Sequence, residues 1–212
     1  MYRKWDFCQI QYNYVDTEIQ AGDKGYALAE KLGVPLVIME PIKGGNLANL
    51  PEDISHILKA YHPNKSLSSW ALRWVASHPN VKVILSGMSN LEHVKDNLDT
   101  FNHYVPLNSD EMKCIEQVTQ IIKSRTKNGC TGCEYCMPCP HGVNIPRNFK
   151  IWNDISIYQN EAQAIRRYWK DMPASERSDM CQACGACEAV CPQSLQIIRD
   201  LQQVTLDIPR EK

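Results

Sequence analysis

Eight of the ten cysteines in this chain fall in two short runs. The first reads Cys130-Thr-Gly-Cys133-Glu-Tyr-Cys136-Met-Pro-Cys139-Pro140, and the second reads Cys181-Gln-Ala-Cys184-Gly-Ala-Cys187-Glu-Ala-Val-Cys191-Pro192. Thiolates are soft ligands, and a dense, regularly spaced set of them points to iron–sulfur or zinc chemistry. Three cysteines spaced two residues apart let one tight loop wrap an iron–sulfur cube. The fourth lies beyond a chain reversal, where the following proline turns the backbone away, and in two-cluster proteins it serves the other cluster. This spacing predicts two [4Fe-4S] clusters. One is held by Cys130, Cys133, Cys136 and Cys191, the other by Cys181, Cys184, Cys187 and Cys139. Gly132, Ala183, Gly185 and Ala186 leave room for backbone N–H groups near the sulfides, where they tune the potential. The competing reading is two four-cysteine zinc sites, although zinc favours separated Cys-x-x-Cys pairs over a triple followed by Cys-Pro. The first run departs from the pattern, with two residues rather than three between Cys136 and Cys139.

The rest of the chain must position those runs. It has 212 residues, 43% hydrophobic, with a net charge of −1. A buried core is therefore feasible, and no basic excess points to nucleic acid or to an anionic membrane. The longest apolar stretch, Val34 to Ile42, is interrupted by Glu40 and is too short to span a bilayer. Met1 to Asp6 lacks the apolar segment of a signal peptide. A soluble, cytoplasmic protein is expected, where cysteines serve metals rather than disulfides. Cys8 and Cys114 lie outside the runs and are expected to be buried, inert thiols.

Alternation over Phe7–Tyr14 predicts a strand. Further strands are expected at Pro35–Glu40 and Val81–Ser86. Helices are expected at about 18–32, 52–60, 67–77 and 91–98, with Gly33 as a stop. Strands alternating with helices imply parallel βα units, and three strands alone leave edges and faces uncovered. The second half carries no strand signal. Ser109 is expected to cap a helix bearing Met112, Ile115, Val118 and Ile122, and helices follow at about 146–159, 161–170 and from Leu195 to Pro209. The fold class is thus a partial α/β barrel over residues 1–105, followed by an all-α domain over 106–212. Gly44-Gly45 is open to two readings, a phosphate cradle or an ordinary βα turn, and the turn is favoured.

Two resemblances follow from these segments. About Asn128 to Asp200 resembles the α-helical ferredoxin domains of iron–sulfur subunits in respiratory and heterodisulfide enzymes, because 41 helical-looking residues separate Cys139 from Cys181. Cys8-Gln9-Ile10-Gln11-Tyr12-Asn13, then Val37 to Gly45, then Ile84 to Asn90 with Asn97 beyond, resemble the C-terminal part of an aldo-keto reductase barrel. A subfamily of these reductases carries a two-cluster ferredoxin domain at its C-terminus. The resemblance implies NAD(P) as a cofactor where the barrel is complete. Gln9 would contact the carboxamide, Met39 and its loop would lie beside the nicotinamide, and Asn97 would contact the adenine. Ser86–Asn90 and the helix start at Leu91 would face the phosphates. Gly87 and His93 stand where many relatives carry basic residues for a 2′-phosphate. The family's catalytic Asp, Tyr, Lys and His come from the first four strands, and no such motif occurs here, so no catalytic residue is assigned. The resemblance implies an iron–sulfur oxidoreductase fragment of the aldo-keto reductase type with a redox partner protein. The alternative is a non-catalytic electron-carrier subunit. In either case a partner or an N-terminal segment would complete the barrel.

Overall fold

A computed structural model describes residues 4–210. The chain divides into two compact units, one reaching Lys123 and the other beginning at Ser124. Among the described residues, no helix is long and apolar enough to cross a membrane.

In the first unit, β1 (Cys8–Gln11), β2 (Leu36–Met39) and β3 (Val81–Ile84) form a parallel sheet in the order β1-β2-β3. Parallel neighbours need crossovers, supplied by α1 (Gly22–Lys31) and by α2 (Glu52–Tyr61) with α3 (Leu67–Ala76). Strand β1 is shorter than the alternation to Tyr14 suggests. Asn13 Oδ1 accepts from the N–H groups of Val15 (3.1 Å) and Asp16 (3.0 Å), and this side-chain turn ends the strand. Helix α1 stops where Gly33 takes a positive φ of 64°.

The two sheet faces differ. Leu36 and Ile38 are fully buried, while their neighbours Val37 and Met39 are only half-buried. Register puts Gln9 and Val83 beside Val37 on that second face. There Gln9 is exposed, Val83 is 47% exposed and Leu85, just past β3, is 44% exposed. Helix α3 lies deep in the unit, with Trp70, Ala71, Leu72 and Val75 almost without solvent contact.

Helix α4 (Leu91–Asn102) is capped by Asn90, which accepts from His93 N–H at 2.9 Å. Helix α5 (Ser109–Arg125) is capped by Asn108, not by Ser109: Asn108 Oδ1 accepts from the N–H groups of Asp110 and Glu111, both at 2.9 Å. The sequence boundary near 105 places α5 with the second domain, whereas the division by contacts falls at 123. The buried Glu111 explains why. Its carboxylate accepts two hydrogen bonds from Arg73 of α3, at 2.7 and 3.0 Å, and pairs with His62 at 2.9 Å.

The second unit contains α6 (Ile145–Tyr158), α7 (Glu161–Trp169), the single turn α8 (Ala186–Ala189) and α9 (Ile197–Asp207), with no strand among its described residues. Phe149, Trp152, Tyr168, Leu201 and Val204 form its core, and six of the eight clustered cysteines pack against that core.

Candidate metal centre

The two cysteine loops have the same backbone plan. Residues two and four positions after the first cysteine have positive φ in both: Gly132 (69°) and Glu134 (63°), then Ala183 (52°) and Gly185 (78°). Three positions after the fourth cysteine, Gly142 (81°) and Ser194 (51°) again have positive φ. Each closes a turn by donating its N–H to the carbonyl of that cysteine, Cys139 at 3.0 Å and Cys191 at 3.1 Å. A helix then begins six positions after that cysteine, at Ile145 in α6 and at Ile197 in α9. Left-handed residues on either side of the middle cysteine curl the loop around a common centre. Glu134 and Ala183 adopt this conformation without the freedom of glycine, a cost that persists only where the surroundings hold it.

Exposure repeats as well. The middle cysteines, Cys133 and Cys184, are exposed, while Cys130, Cys136, Cys139, Cys181, Cys187 and Cys191 are partly buried against the core. A cavity open to solvent is lined by Cys130, Cys133, Cys136 and Cys191, with Phe149, Leu195 and Ile197 forming its apolar side. The last cysteine of the second run thus opens onto the same space as the first three of the first run. Among the described residues, no three His, Cys, Asp or Glu side chains converge closely enough to hold a single ion. Four thiols around a shared cavity suit a multi-iron cube, which is larger than one tetrahedral ion.

Burial pushes the Cys130, Cys136 and Cys187 thiols up, Cys136 to about 11. Neighbouring sulfurs add to this: Cys133 and Cys191 act on Cys130, Cys130 and Cys187 act on Cys136, and Cys181 acts on Cys187. Crowded thiols of this kind are relieved when a cation replaces their protons.

Buried polar residues anchor both loops, and the cysteine spacing gave no sign of them. Asn128 accepts the Cys130 N–H at 2.8 Å and donates to Asp200 of α9 at 2.7 Å. Ser178 holds the second loop, with its carbonyl accepting the Cys181 N–H at 3.1 Å and its hydroxyl 2.6 Å from that of Tyr168. A polar residue two or three positions before each run is the only trace of this in the sequence. The two runs differ in their last gap. A cis peptide precedes Pro138 in the first, and α8 spans the second.

The residues proposed for a nicotinamide lie in the first unit. The structure brings Gln9 and Met39 together, with Gln9 Nε2 donating to Met39 Sδ at 3.3 Å. Asn97, on α4, donates to Ser86 Oγ at 2.9 Å. Beyond the C-terminal ends of β1 and β2 lies a polar network not anticipated from sequence. Asp16, almost fully buried, is paired with Lys43 Nζ and accepts from Gln11 (2.8 Å) and Asn13 (3.0 Å). Asn13 also donates to the Glu40 carbonyl at 3.1 Å, which ties this network to the loop after β2. Lys43, Gly44 and Gly45 all have positive φ, as a tight turn requires. Cys8 is exposed, contrary to the expectation of a buried thiol, because it sits at the start of the outer strand β1. Cys114 is half-buried on α5, and burial raises its pKa.

The aldo/keto reductase family model matches residues 2–120, and the 4Fe-4S dicluster domain model matches residues 129–197. Among solved structures, the apo form of aldo-keto reductase AKR11C1 from Bacillus halodurans is similar at 20% identity and a TM-score of 0.45, over 55% of this chain and 44% of that one. Its holo form is similar at 23% identity and a TM-score of 0.42, over 52% and 41%. The thermostable aldo-keto reductase Tm1743 in complex with epalrestat is similar at 23% identity and a TM-score of 0.40, over 52% and 38%. The chain spans less than half the length of each of these structures. No curated protein matches it.

Proposed function

The chain belongs to the aldo/keto reductase family, and we propose that it is an iron–sulfur oxidoreductase passing electrons through two [4Fe-4S] clusters. The observation that carries this reading is the shared left-handed pattern of the two cysteine loops, each curled around its middle cysteine. Cys130, Cys133, Cys136 and Cys191 would hold one cluster, and Cys181, Cys184, Cys187 and Cys139 the other. When bound, the clusters supply one-electron exchange. The protein shields six of the cysteines against its core, and backbone N–H groups of the loops would tune the potential of the bound clusters. Anaerobic purification followed by metal analysis tests the proposal: about eight irons and equivalent sulfide per chain are expected. Zinc without sulfide would overturn it. A cytoplasmic location follows, since the ligands must stay reduced.

The first unit would form the C-terminal part of a reductase barrel, and the second an α-helical ferredoxin-like domain. Gln9, Met39 and Asn97 would bind NAD(P) where the barrel is complete, and no catalytic residue is assigned. Titration with NADH and NADPH, followed by tryptophan fluorescence, tests this. Binding should weaken in Gln9→Ala and should not favour NADPH, because Gly87 and His93 offer little to a 2′-phosphate. A second reading is favoured by the exposed Val83 and Leu85 on the sheet. In that reading the chain is an electron-carrier subunit whose barrel is completed by a partner protein or by an N-terminal segment.

A further inference from the structure

The two cysteine loops are tied down by different chemistry. The first cysteine of each gives its N–H to a residue just upstream, Cys130 to Asn128 Oδ1 at 2.8 Å and Cys181 to the Ser178 carbonyl at 3.1 Å. Behind Ser178 stand hydroxyls: its Oγ lies 2.6 Å from that of Tyr168 and 2.7 Å from that of Thr205. Behind Asn128 stands a carboxylate. Asn128 Nδ2 donates to Asp200 Oδ2 at 2.7 Å, and both residues are more than nine-tenths buried. The other oxygen, Oδ1, accepts from Arg199 Nε at 3.0 Å and Nη2 at 2.8 Å, and that arginine side chain is 69% exposed. Asn153 of α6 fixes Asn128 in turn. Its Oδ1 accepts the Lys127 and Asn128 N–H groups, both at 3.0 Å, and its Nδ2 donates to the Asn128 carbonyl at 2.7 Å. Asp200 lies in the first turn of α9 with Ile197, which lines the cavity of Cys130, Cys133, Cys136 and Cys191.

A charge on one anchor has an electrical consequence. Reducing a cluster adds one electron and with it one negative charge. A carboxylate held nearby out of water opposes that addition, and its effect falls with distance. Two hydrogen bonds in series connect Asp200 to Cys130, whereas Cys181 is held by the Ser178 carbonyl. We propose that Asn128 and Asp200 are positioning residues for the first cluster: Asn128 fixes the Cys130 N–H, and the Asp200 carboxylate lowers the reduction potential at Cys130, Cys133, Cys136 and Cys191 while leaving that at the second set nearly unchanged. This rests on the cluster reading above. Glu134, Asp179, Glu188 and the exposed Lys150 also bear on the two potentials, so Asp200 sets a shift and not their order.

The test uses the full chain, loaded anaerobically and assayed for iron and sulfide, with midpoints read by redox titration under electron paramagnetic resonance. Asp200→Asn keeps an acceptor for Asn128 and removes the charge, so one midpoint should rise and the other stay. Arg199→Gln removes the counter-charge and should lower that same midpoint, by less because water screens an exposed side chain. The midpoint that moves should survive in a Cys139→Ser background, and the one that does not should survive in Cys130→Ser. Asn128→Ala should speed amide exchange of the Cys130 segment severalfold, read by mass spectrometry, and leave the Cys181 segment unchanged. Asn128→Ser, whose hydroxyl can accept the same N–H, should recover part of the protection. A merely structural brace would alter loading or exchange without opposite shifts in the two charge variants. Where Asp200→Asn loads poorly, Arg199→Gln decides alone. Midpoints that stay put, that move together, or that move the same way in both charge variants overturn the role of Asp200, and unchanged exchange in Asn128→Ala overturns that of Asn128. Each of these leaves the cluster reading standing, whereas chain without sulfide overturns both.

Discussion

The crossing of the two runs can be tested one cysteine at a time, because the fourth ligand of each set comes from the other run. Cys191 opens onto the cavity of Cys130, Cys133 and Cys136. Cys130→Ser and Cys191→Ser should therefore cost the same half of the iron, about four atoms per chain. Cys139→Ser should cost the other half, and the double variant Cys130→Ser/Cys191→Ser should lose no more iron than either single change. Iron analysis with electron paramagnetic resonance distinguishes the two sets, and loss of separate halves by Cys130→Ser and Cys191→Ser would refute the crossing. The Asp16–Lys43 pair makes a second residue-scale case. Lys43→Met leaves the buried Asp16 carboxylate with only Gln11 and Asn13 as side-chain partners. The expected loss of stability is about 1–3 kcal/mol, from unmaking charged hydrogen bonds. Denaturant titration should show it, with Lys43→Arg recovering part of the loss.

Among the elements, α5 is held to α3 through a single buried carboxylate. Burial alone would raise the Glu111 pKa, but hydrogen bonds from Arg73, the Asn108 N–H and His62, with the Arg73 charge, hold it below its ordinary 4.5. Because the folded value lies below the unfolded one, the stabilisation is complete above about pH 4.5 and is lost as pH falls through the folded value. Glu111→Gln should therefore be less stable than the natural protein at neutral pH, with the difference narrowing in acid. Thermal melts from pH 7 down to about pH 3 would show this. Arg73→Met, which leaves the carboxylate with His62 and the Asn108 N–H but without its buried cation, should cost about 3 kcal/mol. The helix pattern of α5 was legible in its apolar stripe, since Ile115, Val118 and Ile122 are buried, although Met112, the first member of that stripe, is 39% exposed. Its cap was not, because Asn108 and Ser109 are both good capping residues and only the backbone geometry chooses between them. Likewise β1 was legible as a strand from its alternation, but its end was not, since a side-chain turn at Asn13 overrode the continuing pattern.

For the whole molecule, the core of the second unit is built from its own residues, and the cysteine loops rest on it. Removing iron should lower or broaden the melting of this unit and leave the melting of the first unit where it was. Calorimetry before and after anaerobic chelation should show one moving and one stationary transition, and equal shifts in both would contradict the separation. The amino-acid sequence by itself determined the chemistry: eight thiols at this spacing admit few ligand sets, and the periodicity distinguishes a βα segment from a helical one. These features are local, so they survive without knowledge of the fold. The spacing also placed Cys191 with Cys130, Cys133 and Cys136, the four that line one cavity. Tertiary structure alone decided which buried polar groups anchor the loops, and on which side of a boundary α5 packs. It also decided that Cys8 lies exposed. Each of these depends on contacts between residues far apart in the chain, which no local pattern encodes.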